Sequence, residues 1–176
     1  MQAQDIEYRG QRKTDRKWVY GFYYKTQGRH IILGDTLSDS GAQHEIEVIP
    51  QTVSLYTGIR DNTRWVELSD DEKREWLQAG KEQQGWRGKR IYGGDIVRDI
   101  FNPETAKIGI VHWGVWELGQ RGYGFHCWIA GDNAIGCHQD EKIAHDLQVI
   151  GNIHNNPKLV KKIRKFQERL NNLRKE

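Results

Sequence analysis

Asp95 is the first residue in this chain whose setting suggests chemistry: a carboxylate in the run RGKRIYGGDIV, residues 87 to 97, where Gly93-Gly94-Asp95 divides Ile91-Tyr92 from Ile96-Val97. Such a group could hold a metal or exchange a proton. Both tasks need a second carboxylate or a histidine held nearby, and the surrounding sequence offers no obvious partner. The favoured reading is structural. Gly93 and Gly94 turn the chain, and Asp95 accepts hydrogen bonds from backbone N–H groups left free at the turn, just before a strand enters the core.

His126-Cys127 and Cys137-His138 carry the ligand types of a zinc site. Their spacing matches no standard finger. On a strand over 124 to 130, His126 and Cys127 point to opposite faces and cannot easily share one tetrahedral ion. A turn at GDNA, residues 131 to 134, would instead bring Cys127 near Cys137. Neither cysteine lies in a nucleophile elbow or beside an evident helix N-terminus, so covalent catalysis is not expected. No catalytic, cofactor-binding or metal residue is assigned. The chain is expected to be no enzyme, and to use no cofactor and no small-molecule substrate.

Charge is concentrated rather than large. The 176 residues carry 27 Lys and Arg against 24 Asp and Glu, a net charge of +3. Residues 157 to 176 hold eight basic and two acidic side chains, a local +6, so the rest of the chain is −3 by subtraction. In the same segment Leu159, Ile163, Phe166, Leu170 and Leu173 recur at spacings of 4, 3, 4 and 3, the stripe of a short coiled-coil-like helix. That stripe must bury against its own domain or a second subunit, and assembly is the favoured outcome. Lys161, Lys162, Arg164 and Lys165 lie mostly off the stripe, where they could contact phosphates or form a solvated face.

Aromatic residues are the other candidate. The chain has seven Trp and seven Tyr, four of each within WVYGFYY and HWGVWELGQRGYGFHCW. Interleaved with cations on an exposed sheet they could stack bases. Alternation puts Trp18, Tyr20 and Phe22 on one face and Val19, Gly21 and Tyr23 on the other, and filling a core is the favoured role.

These side chains sit on short elements. DIEYRGQRK and KWVYGFYYK read as a β-hairpin around TDR, RHIILGD as a third strand, and Pro50 marks an edge or strand boundary in IEVIPQTVSLYTGI. Ser69 and Glu72 make a capping box opening a helix over 69 to 84, closed by Gly85. Only Trp76 and Leu77, with Leu68 before the cap, could give it an apolar stripe, so it should lie on the surface. IGIVHWGVWEL and YGFHCWIAG form a second hairpin around GQRG, with AIGCHQ and LQVIGNI as further strands. Short strands with glycine-rich turns predict a small barrel or sandwich. No apolar run is long enough to span a bilayer, and MQAQDIEYRG has no apolar signal stretch, which predicts a soluble cytoplasmic protein.

Taken in order, IEYRGQRKTDRKWVYGFYY, VIPQTVSLYTGIRD, GKRIYGGDIV, GIVHWG, GF at 124 to 125 and VIGNIHNNPKLV closely resemble the YopX family of phage and prophage proteins, from about residue 6 to residue 160. Two features depart from that pattern. Trp65 to Trp86 intervene where the family passes through a short turn, which reads as an insertion between two strands. Gly93 stands where relatives more often carry an acid. The resemblance implies a mostly β, small barrel-like core, SH3-like in part, encoded by a phage, prophage or other mobile element in a bacterial host, and no known reaction. The expected organisation is a β domain over 1 to 156, with a helical insertion at 62 to 86, followed by a basic amphipathic helix over 157 to 176. The expected function is a non-enzymatic, self-associating accessory protein. The alternative is a nucleic-acid-binding module using the basic helix and exposed aromatics.

Overall fold

The computed structural model describes residues 7–37, 43–100, 108–117, 121–129, 134–136 and 147–173. The chain divides into two compact units, Met1–Gly58 and Ile59–Glu176, whereas the sequence reading divides it at 156. The C-terminal helix is therefore part of the second unit rather than an appendage.

In the first unit, β1 (Tyr8–Gln11), β2 (Trp18–Thr26), β3 (Arg29–Leu37), β4 (Gln43–Glu47) and β5 (Ser54–Arg60, running on into the second unit) lie in the order β4-β3-β2-β1-β5. The β1–β2, β1–β5, β2–β3 and β3–β4 pairs are antiparallel. Pro50 opens a 3₁₀ turn, Pro50–Thr52, at the boundary between β4 and β5, where its missing N–H breaks no ladder. Val19, Ile32 and Val48 form the core, with Tyr8, Tyr23, Ile46 and Val53 packed on it. The core thus takes the Val19-Gly21-Tyr23 face of β2. The opposite row, Trp18, Tyr20 and Phe22, looks outward, with Tyr20 41% and Phe22 56% exposed.

Early in the second unit comes the segment that the sequence reading takes as an insertion: a 3₁₀ turn at Trp65–Glu67, helix α1 (Asp70–Gln78) and a 3₁₀ turn at Gln83–Gly85. Ser69 caps α1 in a reciprocal box with Glu72. The helix stops earlier than the sequence predicts. Gly80, at φ +71°, donates to the Leu77 carbonyl and Lys81 to that of Trp76, a Schellman closure five residues before Gly85. None of the residues of α1 is buried.

Strands β6 (Arg90–Tyr92), β7 (Asp95–Asp99), β8 (Ile108–Glu117), β9 (Arg121–Ile129), β10 (Ala134–Gly136) and β11 (Leu147–Asn152) follow, and then α2 (Pro157–Leu173). Five of them form an antiparallel sheet in the order β10-β9-β8-β7-β11, and β6 follows β5 in strand order. Both orders are open, so among the described residues neither a small barrel nor an SH3-like part of one closes. The physical reason lies in α2. Ile96 of β7 and Ile110 of β8, partners in register, pack with Val160 and Ile163 of the helix, and Ile108, Ile150, Ile153 and Leu159 surround them. A helix covers the apolar face that a barrel would cover by curling. No described helix is long and apolar enough to cross a membrane.

Candidate functional site

The carboxylate at Asp95 is 1% exposed and fully engaged in holding the fold. Its Oδ2 accepts from Tyr92 N at 2.8 Å, across the Gly93-Gly94 turn, and its Oδ1 accepts from the Asn152 side-chain amide at 3.2 Å. Gly94, at φ +80°, donates to the Val111 carbonyl at 2.8 Å and accepts from Ile153 N at 2.9 Å. A side chain there would face both strain and Ile153, 3.2 Å away. The motif blocks GKRIYGGDIV, GIVHWG and VIGNIHNNPKLV, far apart in sequence, therefore converge on Gly94-Asp95.

A second junction escaped the sequence reading. Asp61, 4% exposed, accepts from Thr63 N (2.9 Å), Thr63 Oγ1 (2.7 Å), Lys89 N (2.7 Å) and Val149 N (2.8 Å). Its own N–H donates to the Lys89 carbonyl at 2.8 Å. The available signal was the Asp-Asn-Thr run after VSLYTGIR, a side-chain turn of the Asx kind. Asp61 and Lys89 close the neck of the insertion. Trp65 and Trp86 meet edge to face with centroids 6.1 Å apart, and Trp76 of α1 packs on Trp86 at 5.0 Å. Trp86 also donates to the Thr63 carbonyl. A three-tryptophan cluster thus gives the insertion a small core of its own. A surface cleft of about 500 Å³ opens beside it, bordered by Asn62, Arg64, Trp65, Gln84 and Arg87.

One feature of the unit gathers cations. Lys161, Arg164 and Lys165, at the i, i+3, i+4 spacing of one helix face, line a groove of about 410 Å³ whose apolar wall is Ile153, Pro157 and Val160, with Glu168 at its end. Lys162 is exposed outside it. Among the described residues these four cations make no ion pair. The proposed assembly stripe divides along its length. Ile163 is 4% exposed and Leu159 packs beside it within the unit, whereas Phe166 is 48% exposed. The side chains of Leu170 and Leu173 lie outside the described residues.

The zinc inventory is not assembled among the described residues, where no group of three or more His, Cys, Asp or Glu could hold a metal. Cys127 pairs in register with Ile135 of β10, while Cys137 and His138 lie outside the described residues.

No curated protein and no solved structure matches the chain. A family model described as YopX protein matches residues 83–161. That span contains GKRIYGGDIV, GIVHWG, the Gly-Phe pair at 124 to 125 and VIGNIHNNPKLV, and leaves outside it the motifs between residues 6 and 61. The segment that builds the Asp95 junction and the first turn of α2, residues 83–161, is a YopX-family region.

Proposed function

We propose that the chain is a non-enzymatic accessory protein of the phage and prophage kind, acting in the bacterial cytoplasm, and that it binds nucleic acid through the basic groove of α2. The observation that carries this reading is the convergence of Lys161, Arg164 and Lys165 on one groove, with Lys162 exposed nearby. Val160 and Ile163 already bury against Ile96 and Ile110, so the helix needs no second subunit to cover its first turns. The charges are left for a polyanion. Fluorescence anisotropy with a labelled duplex across a salt series tests it. Three phosphate contacts imply a log–log slope of about −2.7, an affinity loss of about 40-fold between 50 and 200 mM salt. The triple variant Lys161→Ala/Arg164→Ala/Lys165→Ala should flatten that slope. Absence of binding at low salt removes the reading.

Self-association remains the second reading, favoured by the 48% exposure of Phe166 on an otherwise docked helix. Light scattering on the full chain and on Phe166→Ser separates the two: a dimer that Phe166→Ser dissolves supports assembly.

A further inference from the structure

We propose that the cleft beside the three-tryptophan cluster binds a nucleoside monophosphate, a small-molecule site that is independent of the reading given above for α2. The cleft, about 500 Å³, falls within the roughly 300–1,000 Å³ of small-molecule sites. Its floor is Asp61, Thr63 and Gly88, all buried. Gly88, at φ +92°, passes so close to the Asp61 carbonyl that a Cβ there would lie 1.9 Å from its oxygen. Only glycine can close the floor.

Arg87 at the rim supplies the anchor. Its Nη1 donates to the Gln84 carbonyl at 2.7 Å and to the Trp86 carbonyl at 3.1 Å, which uses both Nη1 hydrogens and fixes the plane of the guanidinium. Among the described residues its Nε and Nη2 make no hydrogen bond, and Arg87 enters no ion pair. Those two nitrogens form one edge of the guanidinium, the fork that holds an oxyanion by two parallel bonds. Arg64, also at the rim, is already paired with Glu67 at 3.0 Å. One open fork takes one phosphate. A second would face the Asp61 carboxylate at the floor, whose oxygens are filled by four protein donors.

The rest of the rim selects the body of the ligand. Asn62, Gln83 and Gln84 are exposed, and their side-chain amides make no hydrogen bond among the described residues. Each presents a donor beside an acceptor, the pattern that pairs bidentately with the edge of a nucleobase. The wall is Trp65 and Trp86, packed on each other and held through the Trp86 indole N–H to the Thr63 carbonyl. No ring has to offer a free face: a fixed apolar wall shields one side of a base while the amides hold its edge. No local sequence pattern marks the site, because Asn62 and Arg87 stand 25 residues apart and share the cleft only where Asp61 accepts from Lys89 N.

The test is isothermal calorimetry of the full chain with AMP, adenosine, inorganic phosphate and ATP. AMP should bind saturably, one per chain, with adenosine and phosphate each at least about tenfold weaker and ATP no tighter than AMP. Arg87→Ala should weaken AMP at least about tenfold, and Arg87→Lys, which keeps the charge but not the fork, nearly as much. Asn62→Ala/Gln84→Ala should weaken AMP and leave phosphate unchanged; circular dichroism checks that each variant is folded. The proposal is overturned by a wild-type chain that binds no AMP, by AMP affinity unchanged in folded Arg87→Ala or Asn62→Ala/Gln84→Ala, or by phosphate or ATP binding tighter than AMP. AMP binding lost in Lys161→Ala/Arg164→Ala/Lys165→Ala and kept in Arg87→Ala assigns the nucleotide to α2 and also overturns it. The duplex titration of α2 is a separate measurement, so the two readings fail separately.

Discussion

The side-chain amide of Asn152 donates to Oδ1 of Asp95 at 3.2 Å, joining the end of β11 to the start of β7 beside the ladder in which the same two residues pair in register. The other carboxylate oxygen holds Tyr92 N. Replacing Asp95 with Ala would leave both donors buried without this acceptor, at about 1–3 kcal/mol for each group left unpaired. Urea unfolding of Asp95→Ala should show a loss of about 3 kcal/mol, and Asp95→Asn, which keeps one acceptor oxygen, a smaller one. Stability equal to wild type in Asp95→Ala would remove the structural assignment.

Asp61 should be the more sensitive carboxylate. It accepts four hydrogen bonds, from Thr63, Lys89 and Val149, and so fastens the neck of the insertion to β11. Asp61→Ala is expected to cost about 4 kcal/mol or more, at the upper end of single substitutions. Hydrogen exchange supplies a second readout: the Lys89 and Val149 amides should lose protection together. If only Thr63 responds, Asp61 is a local turn residue and nothing more.

What was legible in the sequence follows from the range of the interaction that decides it. The Ser69 box, the two aromatic hairpins and the Pro50 boundary are set by residues within a few positions of one another, and each lies where the residue pattern put it. The role of Asp95 was half legible. Its bond to Tyr92 N spans three residues, whereas its bond to Asn152 spans 57 and leaves no local trace. Alternation separated the two faces of β2 correctly but could not say which was core, because that depends on where Ile32 and Val48 fall on neighbouring strands. The open sheets were hidden for the same reason. The apolar stripe of α2 was visible, but not that Ile96 and Ile110 would cover its first half.

Glu72 makes the insertion acid-sensitive. Burial pushes its carboxyl up, but the Lys89 ammonium at 2.6 Å and the Ser69 N–H and hydroxyl outweigh that and hold it below the ordinary value. A depressed folded-state value means that the contribution is present above the unfolded-state pKa of about 4.3 and is lost as pH falls through the lower folded value. Glu72→Gln, which retains a capping acceptor, should therefore melt below wild type at pH 7 and converge with it towards pH 3. A difference that stays constant over that range would show that the Lys89 pair contributes nothing.

Ile163 and Phe166 lie three residues apart on α2 and should answer differently. Ile163 is buried with Ile96 and Ile110, so Ile163→Ala removes packed methyl groups and should cost about 2–4 kcal/mol in unfolding free energy. Phe166 is 48% exposed, and Phe166→Ala should change the stability of the isolated chain by less than about 1 kcal/mol. Deleting the whole helix cannot separate docking from assembly, because it uncovers Ile96 and Ile110 and would create a sticky sheet face whether or not the native chain associates. The paired point variants can, when unfolding is measured across a range of protein concentration. If Phe166→Ala destabilises the protein as much as Ile163→Ala, and does so more at high concentration, Phe166 is a subunit contact, and the first half of α2 docks while the second assembles.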